Sequence, residues 1–342
     1  MVGGPRSIHS GGRLVPSGSI RQHVRVSCRY APLQENGPPQ NSVKRPPGRL
    51  ALTVIVLLGF AFHGIAATPV AAEGLLRRLS GANESDDSLA GSASAERRVQ
   101  VIASLPMQRL TVSAQNRILS IVNSPTIYRQ LPTQAIACDR DLFLFITRNP
   151  EVLVGMWDVM GVTQVETTRT GPYQIDATDG SGTTCQMDLV YGDRNLHIFV
   201  ADGHYDGKMV AKPIQGSGVF VFRSTYAKSA SGDTTVTGTL DCFVQFDSLG
   251  ADLIARGLSG FIGRSADANF IETARFLSQI SEASKRNPHS MIDLAQRLPQ
   301  VSTETRKQFV EVIVAINRRD MQAISDARTA RSLQSEMPLR NH

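Results

Sequence analysis

Residues 217–247 read SGVFVFRSTYAKSASGDTTVTGTLDCFVQFD, and they set the pattern for the domain around them. Apolar and polar side chains alternate along 217–226 and again along 234–247, which is the two-residue period of a half-buried β-strand. The Ser-Gly-Asp sequence at 231–233 between them is typical of a hairpin turn. The segment therefore predicts two long antiparallel strands that are neighbours in a sheet.

The next segment, 248–284, changes to the period of a helix. Its apolar residues recur three and four positions apart, which indicates one buried face. Ser265 or Asp267 offers a second N-cap within it, and Asn287-Pro288 ends it. The stripe consists of Leu249, Leu253, Ile254, Leu258, Phe261, Ile262, Phe270, Ile271, Ala274, Leu277 and Ile280.

Further strands precede the hairpin. Alternation predicts them near 162–170, 172–178, 183–191 and 195–202, with Gly-, Pro-, Asp- and Asn-containing turns between them. The segment 203–216 is ambiguous, and a long loop is one interpretation. The chain thus contains a run of strands that leads directly into a long helix.

The remaining segments are helical, with one exception. Residues 135–147 are rich in β-forming side chains and predict a strand. Asn149 and Pro150 provide the N-cap and first position of a helix that stops at Gly161. Helical spacing also covers 98–127 and, after the long helix, 291–298, 303–317 and 320–331.

Net charge separates the chain into unlike parts. The 342 residues carry 36 Lys and Arg against 30 Asp and Glu, a formal +6. Residues 1–49 contain eight basic residues and one acidic residue, a net +7, and residues 50–72 contain no charged residue. The remainder is close to neutral, at −1. Because a nucleic-acid-binding domain needs a basic face, we expect no nucleic-acid partner.

Residues 50–72, LALTVIVLLGFAFHGIAATPVAA, predict export of everything that follows them. The strongly apolar part, 50–61, has the length of a signal-peptide core, and Val70-Ala71-Ala72 has the small residues of a cleavage site. The whole uncharged stretch of 23 residues could also span a membrane, with the basic flank left in the cytoplasm. A cleaved signal and a retained single-pass anchor both remain open. Either one places the C-terminal part in the periplasm or outside the cell.

Composition and periodicity together divide the chain into six segments. They are a disordered basic region (1–49), the export segment (50–72), a flexible linker (73–98), a helical lead-in (99–132), an α+β domain (133–286), and C-terminal helices with a tail (287–342).

The element order over 133–286 resembles the START-like or polyketide-cyclase-like helix-grip superfamily. The resemblance implies an α+β fold, in which a curved antiparallel sheet of about seven strands grips the long C-terminal helix between flanking helices. It also implies a hydrophobic cavity between sheet and helix that holds a lipid or another apolar small molecule. The residues that would line the cavity are Trp157, Phe220, Phe222, Leu253, Leu258, Phe261 and Phe270. For Trp157, a packed core position is the competing interpretation.

A polar cluster lies near the end of one predicted strand. Asp202, His204 and Asp206, with His197 upstream, are of the residue types that bind metals. Their spacing partly follows a calcium loop, but its twelfth position is Pro213 instead of a bidentate Glu. We interpret the cluster as a polar loop, and we expect no tightly bound metal and no cofactor.

Cysteines and a second polar loop have ordinary structural interpretations. Cys138, Cys185 and Cys242 lie in predicted strands, and none belongs to a CxxC pair. They fit buried apolar positions, although an exported domain could join two of them in a disulfide. The Asp-Gly-Ser-Gly sequence at 179–182 is interpreted as a turn rather than an ion site.

Arg223 and Asp241 are charges within strongly apolar strands. Antiparallel pairing could bring them together on one face. The apolar neighbours of each alternate with it, so parity places both charges away from the main core. We therefore predict an exposed cross-strand ion pair rather than a polar anchor inside a cavity.

The common catalytic signatures GxSxG, HExxH, GxGxxG and the P-loop are missing, which argues against an enzyme. Three hypotheses follow: a binding module for an apolar ligand, an envelope structural or interaction protein with a filled core, and an enzyme that uses the cluster 197–206. A sheet–helix cavity of several hundred Å³ would favour the binding module. A filled sheet–helix interface would favour the structural or interaction protein, and convergence of the polar side chains would favour the enzyme.

Overall fold

The longest strands form a hairpin inside the sheet. In the computed structural model, β7 (Ile214–Lys228) pairs with β8 (Thr234–Phe246). The structure describes residues 91–207, 212–230, 232–247 and 249–335, without the side chains of 249–262, 331 and 333–335. The register of β7 with β8 joins Gly216 to Phe246 and Lys228 to Thr234. Both strands were predicted, and β7 begins earlier than its pattern indicated.

The strands of the described residues form one antiparallel sheet in the order β1-β8-β7-β6-β5-β4-β3, with β2 also paired to β8. From β3 to β8 each strand pairs with the next in sequence. Turn signals predicted these pairs except β6 with β7, where the ambiguous segment 203–216 extends both strands, to Tyr205 and from Ile214. β1 and β2 pair with successive parts of β8 and act as one interrupted edge strand. The remaining strands are β1 (Ile127–Gln130), β2 (Gln134–Ala137), β3 (Glu166–Gly171), β4 (Gln174–Thr178), β5 (Thr183–Gly192) and β6 (Leu196–Tyr205).

Helices precede, interrupt and follow the run of strands. The described ones are α1 (Ala95–Ala103), α2 (Val112–Val122), α3 (Arg140–Arg148), α4 (Pro150–Val159), α5 (Leu249–Arg286), α6 (Pro288–Gln296) and α7 (Thr303–Ser335). The N-caps of the first three helices are Ser94, Thr111 and Asp139, and their side-chain oxygens accept hydrogen bonds from backbone N–H groups of the first turn. α1 thus begins inside the segment assigned by composition to a linker.

The strand prediction for 135–147 is wrong beyond its first residues. β2 ends at Ala137, and Asp139 then caps α3 by accepting from the N–H groups of Asp141 and Leu142. Leu142, Phe143 and Ile146 form the buried face of that helix. A short apolar run fits either period, and here an N-cap and packing against the sheet select the helix.

The two long C-terminal helices are more continuous than expected. α5 spans 38 residues without a second N-cap at Ser265 or Asp267. α7 spans 33 residues and joins the two helices predicted at 303–317 and 320–331, because no Gly or Pro interrupts the chain between them. Residues 321–330 of α7 are exposed throughout.

Strand alternation gives the sheet two apolar faces. On the inner face, Phe220, Leu240 and Cys242 belong to one core cluster with residues of α3 to α7. On the outer face, Val219 and Val221 belong to a second cluster with residues of α1 and α2. α5 contributes Ala266, Phe270, Ala274, Leu277 and Ile280 to the inner cluster. The long helix therefore packs across the inner face, as its apolar stripe predicted.

The basic region, the export segment and most of the linker lie outside the described residues. Among the helices that the structure does describe, none combines the length and apolar character that a membrane span requires.

Candidate ligand-binding site

An apolar cavity of about 100 Å³ lies between the inner face of the sheet and α5. The sheet supplies Phe199, Phe220 and Phe222, which point inward because they alternate with outward-facing residues of β6 and β7. α5 supplies Phe270, Thr273, Ala274 and Leu277 at the spacing of one helix face. α3 and α4 close the cavity with Ile146, Thr147 and Leu153. We call this space the inner cavity.

The lining offers little hydrogen bonding of its own. The hydroxyl groups of Thr147 and Thr273 donate to carbonyl oxygens one turn earlier in their helices, those of Phe143 and Asn269, at 2.8 Å each. Phe222 meets Phe270 edge to face, with ring centroids 6.1 Å apart. The inner cavity therefore favours apolar contents.

The structure brings three of the seven residues proposed from the sequence to the inner cavity. Phe220, Phe222 and Phe270 line the inner cavity. Trp157 does not line it and is a core residue, 1% exposed, with its ring 6.0 Å from that of Phe276. The side chains of Leu253, Leu258 and Phe261 lie outside the described part of the chain.

Sequence reasoning missed the part of the lining that comes from α3 and from β5. Ile146 and Thr147 lie in the segment taken for a strand, so they were not considered for a helix face. Met187 lies two positions after Cys185 and therefore on the same inward side of β5. Its position in the alternation was available from the sequence, and it could have been found by extending the parity argument to every strand.

His197 lies on the inner face of β6, next to residues that line the inner cavity. It is 0% exposed, and its cross-strand partner is Phe222. Nε of Arg148 donates to Nε2 of His197 at 3.3 Å. Burial, and secondly the positive charge of Arg148, lower the pKa of His197 to about 4, against the opposing charge of Asp193. The imidazole is therefore neutral at pH 7.

The structure separates His197 from the other polar residues predicted with it. His197 faces inward, and Asp202 and His204 differ from it in strand parity and face outward. Asp202 accepts from Arg117 and Ser217 at 2.8 and 2.7 Å. Within the described residues, no group of three or more His, Cys, Asp or Glu side chains could hold a metal ion.

Asp206 and Asp179, the remaining polar loop residues, make hydrogen bonds that hold the turns between strands. Nitrogen of Asp206 donates to the carbonyl oxygen of Gly182 at 2.8 Å. Oδ1 of Asp179 accepts from the backbone N–H groups of Ser181 and Thr183 at 2.8 and 2.9 Å, and these bonds contribute to lowering its pKa against the effect of burial. This is the turn geometry that the sequence predicted.

The three described cysteines are buried free thiols. Burial raises the pKa of Cys138 and Cys185 to about 12, and it also raises the pKa of Cys242. Protonated buried thiols are poor nucleophiles. They fill apolar positions, and no disulfide joins any two of them.

Arg223 and Asp241 pair on the outer face, as parity predicted, but the carboxylate of the pair is buried instead of exposed. Asp241 is 0% exposed, because α1 lies over it. Arg97 of α1 donates to both carboxylate oxygens at 3.3 and 3.0 Å, and Arg223 donates at 3.2 Å. The hydroxyl of Tyr128 adds a fourth bond at 2.9 Å. We call these four residues the Asp241 network.

Comparisons with known proteins add little. No family model matches the chain, and no curated protein matches it. One similar solved structure is titled "Crystal structure of Ara h 8.0201"; the match has 8% sequence identity and a TM-score of 0.24, and it covers 41% of this chain and 96% of that one.

Proposed function

We propose that the described domain is a non-catalytic binding module of helix-grip type that holds a small apolar molecule in the inner cavity. The observation that supports this most directly is the position of the cavity. It lies between the sheet and α5, and its lining is almost entirely apolar. A space lined by such side chains is favourable for a hydrocarbon and unfavourable for water.

The size of the cavity restricts the ligand. At about 100 Å³ it is smaller than the roughly 300–1,000 Å³ of most ligand pockets. An engineered cavity of about 150 Å³ binds benzene. The proposed ligand is therefore a molecule of a few heavy atoms, or the end of a longer chain, instead of a whole lipid.

One pair of variants tests this function. Ala274 lines the inner cavity and is 5% exposed; Ala266 lies two turns earlier in α5, is 6% exposed and is not part of the lining. The full-length chain is titrated with methylenecyclopentane while the NMR methyl signals of Leu153 and Met187 are followed. We expect saturable shifts that Ala274→Leu abolishes, because the new side chain fills the space.

The control variant, Ala266→Leu, should lose stability without losing the ability to bind the probe. Ala266→Leu overpacks a closed region, so it should cost about 1–3 kcal/mol of stability while the folded fraction still binds the probe. An absence of saturable shifts in the unsubstituted chain would disprove the binding function.

That negative result would favour a second candidate, a structural or interaction protein with a filled core. Much of the interior supports it, because Trp157, Phe143 and Phe309 are fully buried side chains in the inner cluster. In that case the cavity is an ordinary packing defect.

We also propose that residues 50–72 carry the domain across the cytoplasmic membrane, either as a cleaved signal or as a retained anchor. The support is the uncharged apolar stretch behind a flank of net charge +7. Cell fractionation and N-terminal sequencing test the proposal. A mature chain that begins near Glu73 indicates cleavage, and a full-length membrane-bound chain indicates an anchor. A full-length, freely soluble cytoplasmic product would contradict both.

A further inference from the structure

Two buried side chains that neighbour lining residues, without belonging to the lining themselves, have a nitrogen without a partner. Within the described part of the chain, neither Nδ1 of His197 nor Nδ2 of Asn269 makes a hydrogen bond. A buried donor left unpaired costs free energy, and native structures contain few of them. Next to a space that can hold a molecule, such a donor points to an acceptor on that molecule.

The neighbours of His197 place it next to the lining of the cavity. Along β6, its next neighbour on the same face is Phe199, and its partner across β7 is Phe222; both line the cavity. Arg148, which contacts the imidazole, directly follows Thr147, another lining residue. His197 therefore adjoins the lining from the strand side and from the helix side.

The orientation of the ring follows from two contacts. Nε2 accepts from Arg148, and a Cβ at Gly192 of β5 would lie 3.3 Å from Cδ2. The Nε2–Cδ2 edge thus faces α3 and β5. Nδ1 lies on the opposite edge of the ring, away from Gly192; the strand on the other side of β6 is β7, where Phe222 pairs with His197.

The protonation state follows from the same contact. Because the Arg148 guanidinium has only donors, Nε2 must be the unprotonated nitrogen. In a neutral imidazole the hydrogen is then on Nδ1. The side chain consequently presents an unpaired N–H group, rather than a lone pair, to the interior.

We propose that Nδ1–H of His197 donates a hydrogen bond to an oxygen atom of the molecule in the inner cavity. The site then selects apolar molecules that carry one acceptor oxygen, such as a ketone, above hydrocarbons of the same shape. This inference rests on the proposed binding function and specifies the ligand class.

Two substitutions at His197 separate the roles of its nitrogens. The amide nitrogen of Asn can occupy the position of Nδ1, so His197→Asn keeps a donor there and loses the partner of Arg148. The amide of Gln reaches the position of Nε2, so His197→Gln keeps a partner for Arg148 and loses the inward donor. The pair therefore distinguishes ligand binding from a purely structural role.

The probes are cyclopentanone and methylenecyclopentane, which have the same shape and differ in one acceptor oxygen. The affinity of the full-length chain for each is measured by NMR titration, and the ratio of the two affinities is compared among the variants. We expect His197→Gln to lower the ketone preference about tenfold relative to the unsubstituted chain, and His197→Asn to change it less than about threefold. Using the ratio cancels any loss of folded protein.

The outcomes separate the two proposals. If neither probe binds, the binding function fails and this inference falls with it. If both probes bind and His197→Gln leaves the ratio unchanged, the binding function stands and the role of His197 is wrong. If Asn269→Leu removes the preference instead, the donor is Asn269 and the assignment to His197 is again wrong.

Discussion

The two faces of the sheet are both covered by helices, but they are closed in different ways. The inner face is covered by the long helices α5 and α7 together with three short ones, and it retains an apolar cavity of about 100 Å³. The outer face is covered by two short helices and encloses the Asp241 network. A packed core with a buried ion network has little capacity to adapt. Of the two faces, only the inner one retains the space that the proposed binding function needs, whereas the outer one holds the N-terminal helices.

The largest effect should come from the closed part of the inner face. Phe309 is 0% exposed and stacks on Phe145 with centroids 5.6 Å apart, so Phe309→Ala should cost about 3–5 kcal/mol. Phe270 borders the cavity and already lacks contacts on one side, so Phe270→Ala should cost only about 2 kcal/mol. Chemical denaturation of both variants measures the difference. Equal losses would mean that the cavity is not a distinct region.

The second-largest loss of unfolding free energy should come from the outer face. Asp241→Ala leaves Arg97 and Arg223 without their carboxylate, and breaking a buried pair costs about 3–5 kcal/mol. We expect a value near 3 kcal/mol, because the two arginine side chains are 30% and 27% exposed. Glu272→Ala is the control, since its pair with Arg275 is exposed, and it should stay within about 0.5 kcal/mol. A loss at Asp241 no larger than the control would show that α1 is not held by the network.

Acid should weaken the inner face through His197. Its pKa in the folded chain, about 4, lies below the ordinary 6.5, so the unfolded chain binds the proton more readily. The stabilising contribution is therefore present above pH 6.5 and is lost as the pH falls toward 4, by roughly 3 kcal/mol in all. Unfolding free energies of the unsubstituted chain and of His197→Gln, measured across this range, isolate the effect. Parallel pH profiles would contradict it.

The smallest effect concerns the solvent side of α5. Arg275 is exposed and pairs only with Glu272 among the described residues. Arg275→Ala should therefore change the unfolding free energy by less than about 0.5 kcal/mol. A larger loss would mean that this side of α5 is covered, and that the inner face is not the only surface the helix packs against.

Part of the candidate site was readable from the sequence because strand alternation is local. The parity of Phe220 and Phe222 placed them on the inner face, and the stripe through Phe270 placed the long helix there. The same parity separates His197 from Asp202 and His204, because an odd and an even position of one strand face opposite sides. Where a residue faces was thus determined by its immediate neighbours in the chain.

By itself, the sequence determined the hairpins, the long amphipathic helix and the side of the sheet on which Arg223 and Asp241 lie, since each depends on a period of a few residues. Only the tertiary structure decided that 140–148 is helical, that α1 covers Asp241, and that the sheet–helix interface leaves a small cavity. The volume left between elements depends on side chains from five or more separate segments that meet only after folding. A local sequence pattern therefore cannot give the volume of the cavity.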